Sequence, residues 1–67
     1  MIPGTVTWFD PKWGIGGIAV DDSDHEVSVR SSEIDGGGMQ SLRPRDRVRL
    51  TVHHESSGAQ ATRVWTP

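Results

Sequence analysis

The chain has 67 residues, no cysteine, and nine acidic against seven basic side chains, for a formal charge of −2. A domain of this size buries only about 60% of the surface its unfolded chain exposes, which argues against a deep catalytic cleft. The lack of cysteine excludes a disulfide framework and thiolate metal sites, and no apolar run nears the roughly 18 residues of a membrane span.

Met1-Ile2-Pro3-Gly4 lacks the charged and apolar regions of a signal peptide, so residues 1–67 are expected to form one cytoplasmic domain. Thr5-Val6-Thr7-Trp8-Phe9 is β-branched and aromatic and predicts a first strand, stopped by the turn signal Asp10-Pro11. Alternation alone leaves open whether Trp8 or Phe9 points outward. In Trp13-Gly14-Ile15-Gly16-Gly17-Ile18, three glycines fall within four positions, a composition that costs conformational entropy unless a backbone or ligand passes close by. A second strand is predicted from Ile15 to Val20, with Gly16, Ile18 and Val20 toward the core and Ile15, Gly17 and Ala19 outward.

After the turn cluster Asp21-Asp22-Ser23-Asp24, Val27-Ser28-Val29-Arg30 alternates cleanly, with the valines inward and Ser28 and Arg30 outward. Residues 31–44 show no period and contain Gly36-Gly37-Gly38, which predicts a long loop anchored by Ile34 and Leu42. Arg47-Val48-Arg49-Leu50-Thr51-Val52 alternates again with Val48, Leu50 and Val52 inward, and Ser56-Ser57-Gly58 turns the chain into a last strand through Gln60 to Trp65. With no sustained helical period and no repeat, five short strands predict a small all-β barrel.

Charge is unevenly distributed along this pattern. From Asp10 to Asp35 there are seven acids against Lys12 and Arg30, whereas from Arg43 to Arg63 there are five arginines against Asp46 and Glu55. In an extended segment Arg43, Arg45, Arg47 and Arg49 would share one side as a line about 20 Å long, at roughly 3.3 Å per residue. Such a stripe suits a phosphate backbone or an acidic protein, or else serves as a solvated edge that deters strand pairing.

Two patterns are set aside. Gly14-x-Gly16-x-x-Ala19 with Asp35 downstream matches a dinucleotide-binding spacing, but a strand follows it where that fold requires a helix. His53 and His54, with His25 or Glu55, are adjacent on a strand and face opposite ways, so no metal site is expected. No nucleophile, base and orienting group are recognisable; neither catalysis, a cofactor nor a small-molecule substrate is expected.

The run Gly4-Thr5-Val6-Thr7-Trp8-Phe9-Asp10, then Gly14-Ile15-Gly16-Gly17-Ile18, then Val27-Ser28-Val29-Arg30-Ser31-Ser32-Glu33-Ile34, closing with Gly58-Ala59-Gln60-Ala61-Thr62-Arg63-Val64, resembles the bacterial cold-shock domain family. The family pattern runs G-x-V-K-W-F-N, K-G-F-G-F-I, V-F-V-H-F-S-x-I and G-P-Q-A-x-x-V, and the resemblance covers nearly the whole chain. It implies a five-stranded antiparallel OB-type barrel that binds single-stranded DNA or RNA on the face of its first three strands. Where the family has the aromatics of F-G-F, this chain has Ile15 and Gly17; in place of F-V-H-F it has Ser28, Val29, Arg30 and Ser31.

Base stacking on an aromatic is worth about 1–3 kcal/mol per base, so the lost platforms predict weak, sequence-tolerant binding of single strands. Trp13 and Arg30 offer partial compensation, since a guanidinium can both pair with phosphate and stack on a base. The expected binding set is Trp8, Phe9, Lys12, Trp13, Ile15, Ser28 and Arg30, although Arg30 could instead pair with Glu26 or Glu33. The alternative is a non-enzymatic module for a protein partner or self-association, with Trp13, Ile15 and Met39 as an apolar patch.

Overall fold

A computed structural model of the chain describes residues 1–21, 23, 25–35 and 41–66. Five long strands form the frame: β1 (Ile2–Asp10), β2 (Ile15–Val20), β3 (Glu26–Arg30), β5 (Arg47–Glu55) and β6 (Gly58–Trp65). A 3₁₀ turn, Ser31–Glu33, and a two-residue strand, β4 (Ile34–Asp35), lie between β3 and β5. The strand order is β3-β2-β1-β5-β6-β4, and a further contact of β3 with β6 closes the sheet into a barrel. β1, β2, β3, β5 and β6 are joined to their sequential neighbours in this order by antiparallel ladders, whereas closure at Ser28 and Gln60 is parallel. The all-β barrel expected from the turn-punctuated strands is therefore present. Among the described residues no helix is long and apolar enough to cross a membrane.

The core consists of Val6, Ile18, Val27, Val29, Ile34, Leu42, Val48, Leu50, Ala61 and Val64, and among the described residues no polar side chain is buried with them. The alternation of β3 and β5 accounts for Val27, Val29, Val48 and Leu50, because successive side chains leave a strand on opposite faces. Val20, at the end of β2, and Val52, just past the register shift between β5 and β6, are half-buried and pack against this cluster. Ile34 and Leu42 are buried, so the segment after β3 is pinned where the sequence places its anchors. Gly36, Gly37, Gly38 and Met39 lie outside the described residues.

A bulge in β1 decides the orientation of the two aromatics. Val6 pairs with Ile18 and Trp8 with Gly17, so Thr7 is the extra residue, and its hydroxyl donates to the Gly17 carbonyl at 3.1 Å. Beyond it, Phe9 pairs with Gly16, which pairs with Val29, and this row faces the core. The neighbouring row, Trp8, Gly17 and Ser28, faces outward. Phe9 is half-buried against the core cluster, so of Trp8 and Phe9 it is Trp8 that faces outward.

Gly16 makes this packing sterically feasible. A Cβ at Gly16 would stand 2.6 Å from the Trp8 carbonyl oxygen and 2.7 Å from Phe9 Cδ1, and backbone cannot yield as a flexible side chain can. Gly16→Ala is expected to destabilise the barrel by about 1–3 kcal/mol, the range for overpacking a filled site. Thermal unfolding should then fall by roughly 4–8 °C for each kcal/mol, and an unchanged midpoint would show that β1 and β2 can separate at this point without loss.

Candidate nucleic-acid interface

The outer surface of β1, β2 and β3 is built from two cross-strand rows. Trp8, Gly17 and Ser28 form one; Asp10, Ile15 and Arg30 form the next, two residues further along each strand. Trp8 is 44% exposed and Ile15 43%, large values for apolar side chains on a barrel wall. Ser28 and Arg30 are exposed, and Gln60 stands beside Ser28 across the closing contact.

The turn from β1 to β2 carries Lys12 and Trp13 next to these rows. Asp10 Oδ1 accepts hydrogen bonds from the backbone N–H of Lys12 at 3.0 Å and of Trp13 at 3.3 Å, while the Gly14 N–H donates to the Asp10 carbonyl at 2.8 Å. Gly14 has φ +65, in the left-handed region that glycine enters without penalty, and its carbonyl accepts from the Ser31 N–H at 2.8 Å. This closed turn leaves Lys12 exposed and holds Trp13 at 72% exposure. Of the expected binding set, Trp8, Lys12, Trp13, Ile15, Ser28 and Arg30 are thus exposed on one region of the barrel, and Phe9 is half-buried. Met39, expected to complete an apolar patch with Trp13 and Ile15, lies outside the described residues.

A contact that sequence reasoning missed lies at the centre of this surface. Trp8 Nε1–H donates to Glu26 Oε1 at 2.9 Å, directly above Gly17. A Cβ on Gly17 would run into the Glu26 carboxylate and stand 2.6 Å from the indole nitrogen, so the contact depends on that glycine. Gly17 faces outward yet is buried because the indole and the carboxylate cover it. Where the resembling family carries an aromatic, this chain has the edge of Trp8 fixed by a carboxylate. The cue available in the sequence was position: Glu26 is two residues before Ser28, on the same outward face of β3. Glu26 therefore pairs with Trp8 and not with Arg30; among the described residues Arg30 has no ion-pair partner.

The arginine stripe is not a line. Pro44 and Arg45 form a turn, with Asp46 N–H donating to the Arg43 carbonyl at 3.1 Å and Arg43 N–H to Asp46 Oδ2 at 3.0 Å. Arg45 has φ 76, an uncommon conformation for a residue with a side chain, and its N–H donates to the Val6 carbonyl at 2.7 Å. Only Arg47 and Arg49 lie on β5, so Arg43 and Arg45 leave the expected row. Arg47 is further committed: its guanidinium donates to Asp21 Oδ1 at 2.9 Å, to Asp21 Oδ2 at 2.8 Å and to Thr5 Oγ1 at 2.8 Å.

Comparison with known proteins agrees with this geometry. The family model described as 'Cold-shock' DNA-binding domain matches residues 2–67. A "Cold shock protein" of Arthrobacter globiformis is 44% identical over 64 residues, covering 96% of each chain. A "Probable cold shock protein A" of Mycobacterium tuberculosis is 39% identical over 64 residues, again covering 96% of each. Among solved structures, the drosophila Unr CSD456 chain superposes with a TM-score of 0.79 at 20% identity, covering 98% of this chain and 26% of that one, and shares the fold.

The Arg47–Asp21 pair gives a pH expectation. The hydrogen bonds from Arg47 hold the Asp21 carboxyl below its ordinary range; desolvation opposes them in part, and the Arg47 charge adds a smaller lowering. A carboxyl lowered on folding adds stability above the ordinary carboxylate range and loses it as pH falls through the folded value. Asp21→Asn should therefore lower the thermal midpoint slightly at neutral pH and low salt, with the difference from the parent vanishing in strong acid. A difference that persists unchanged below the carboxylate range would show that the pair does not act through ionisation.

Proposed function

The chain belongs to the cold-shock domain family and is a nucleic-acid-binding protein, and on that premise we propose that it binds single-stranded DNA or RNA weakly, with little sequence preference, in a non-enzymatic role. The observation that carries this reading is the outer surface of β1, β2 and β3, where the exposed Trp8 indole stands beside Arg30, Ile15 and Ser28. An indole offers a π face that any base can stack on, and Arg30 supplies a cation for the adjoining phosphate or a second stacking surface. Trp13 and Lys12, on the turn next to these rows, extend the contact along the strand.

Weak affinity follows from what surrounds Trp8. The surface offers Trp8 and Trp13 as aromatics, and its cations Lys12 and Arg30 are matched by Asp10 and Glu26, so the face carries no net positive charge. Neutralisation of phosphates supplies most non-specific affinity for nucleic acids, and on this face it contributes little. Stacking has to carry the complex, which favours tolerance of sequence because every base has a face to stack.

The test is fluorescence anisotropy of a short, labelled, pyrimidine-rich oligonucleotide at low salt. Trp8→Ala is expected to weaken binding by about 1–3 kcal/mol, roughly five- to 150-fold, the loss of one stacking platform. Unchanged affinity in that variant would overturn the assignment of Trp8. Ile15→Phe, which adds a ring on the same face, should tighten binding within the same range, and a neutral result would show that strands do not pass over the second row.

A further inference from the structure

Around the barrel from this face, a second surface combines cations with an aromatic ring. β1, β5 and β6 place Pro3, Arg49 and Trp65 in one cross-strand row, since Pro3 pairs with Arg49 and Arg49 with Trp65. Pro3, Arg47, Val48, Arg49, Trp65 and Thr66 line a groove of about 550 Å³. The Arg63 guanidinium lies over the Trp65 ring, 5.5 Å from its centre. Arg49 and Arg63 are both exposed, and among the described residues neither has an ion-pair partner; Arg47 alone is neutralised, by Asp21. Asp35 of β4 pairs with Trp65 at the end of this row and shares a cleft with Glu33 and Arg63, so Arg49 is the cation farthest from a carboxylate on this surface.

We propose that this groove is a second nucleic-acid contact, holding the sugar–phosphate backbone of a single strand on Arg49 and Arg63 with the Trp65 indole beside it. The observations favour a nucleic acid over an acidic polypeptide because cations and an indole sit together. Carboxylates need only the cations, whereas a nucleotide presents both a phosphate for a guanidinium and a base for an aromatic ring. Arg49 and Arg63 occupy diagonal positions on adjacent strands, roughly 7–8 Å apart at the backbone, so they are placed to meet successive charges along a chain. The Arg63 guanidinium already rests over the Trp65 ring, a cation–π contact that limits the entropy lost when a phosphate binds. With one strand on Trp8 and another segment on Trp65, a single domain would hold two stretches of nucleic acid. The groove stands on its own residues and does not rest on the Trp8 assignment.

The experiment is a titration of the ¹⁵N-labelled full chain with a single-stranded hexanucleotide at low salt, following the three indole N–H signals and the amides of β5 and β6. The Trp65 indole signal is expected to move, and in Arg49→Glu/Arg63→Glu that movement should be lost while the Trp8 signal still responds. Arg49→Gln, which keeps Arg63 on the ring, should give a partial loss and guards against a general effect of charge reversal. For a strand long enough to span both surfaces, the slope of log affinity against log salt should fall in magnitude by about 1.4 in the double variant, two phosphates at roughly 0.7 each. A Trp65 signal that stays still while Trp8 moves would overturn the groove and leave the Trp8 reading standing; the reverse pattern would support the groove and remove that reading. If neither signal moves, or if polyglutamate shifts Trp65 as far as the hexanucleotide does, the groove is not a nucleic-acid contact.

Discussion

The outer face and the inner face of this barrel meet at two adjacent glycines, and most of the structure depends on their lack of side chains. Gly16 gives its inner side to Phe9 and Gly17 gives its outer side to Trp8 and Glu26, so one dipeptide of β2 accommodates packing on both surfaces of the wall. The bulge at Thr7 brings Trp8 and Phe9 to opposite sides at this position. A side chain at Gly16 meets backbone, a collision that only movement of the strands can relieve, while one at Gly17 meets the end of a flexible carboxylate. The two positions are therefore constrained for different reasons: the first by the barrel, the second by what stands on its surface.

How far this was legible in the sequence depends on the range of the forces involved. The strands and their inward sets were readable wherever period two held, as at Val27 and Val29 or Val48 and Leu50, because burial of one sheet face imposes that period directly. The order of Trp8 and Phe9 was not readable, since the bulge breaks the period between Val6 and Trp8 and nothing in Thr7 marks it. The arginine stripe failed for a local reason, because Pro44 takes the second position of a turn and Arg45 the left-handed third, which breaks the extended run before β5. The contact of Glu26 with Trp8 joins residues 18 apart in the chain and depends on strand register, which residue types alone do not specify.

The charge partition along the chain is only partly kept around the barrel, because β4 brings Asp35 beside Trp65 of β6. The stretch from Asp10 to Asp35 includes β2, β3, the 3₁₀ turn and β4, and the arginines from Arg43 onward lie in the turn before β5 and on the outer side of β5 and β6. Arg47 and Asp21 join the two regions, with both guanidinium nitrogens on the carboxylate and one also on Thr5. The pair is exposed, and exposed pairs contribute little to stability because water screens them and two long side chains must be ordered. Its consequence is electrostatic: it cancels the arginine nearest the acidic region and leaves Arg49 and Arg63 as the cations of the far side.

The same partition explains how a family fold can retain its shape while its binding face changes character. Nucleic-acid affinity has two separable sources, phosphate neutralisation, which is long-ranged and salt-sensitive, and stacking, which needs contact and is largely indifferent to salt. On the outer surface of β1, β2 and β3 the first source is opposed by Asp10 and Glu26, and the second is reduced to the indoles of Trp8 and Trp13. Glu26 sharpens the contrast, since its carboxylate lies against the edge of the very ring on which a base would stack. On the proposed reading a base stacks on the face of Trp8, and Glu26 repels a phosphate beside it, which would turn the backbone of a strand toward Arg30 and Lys12. None of these changes touches the core, because Ile15, Gly17 and Ser28 all lie on the outward side of strands whose inward side is Ile18, Val27 and Val29. Period-two geometry makes the two faces independent, and that independence allows the fold to persist while the surface that binds is rewritten.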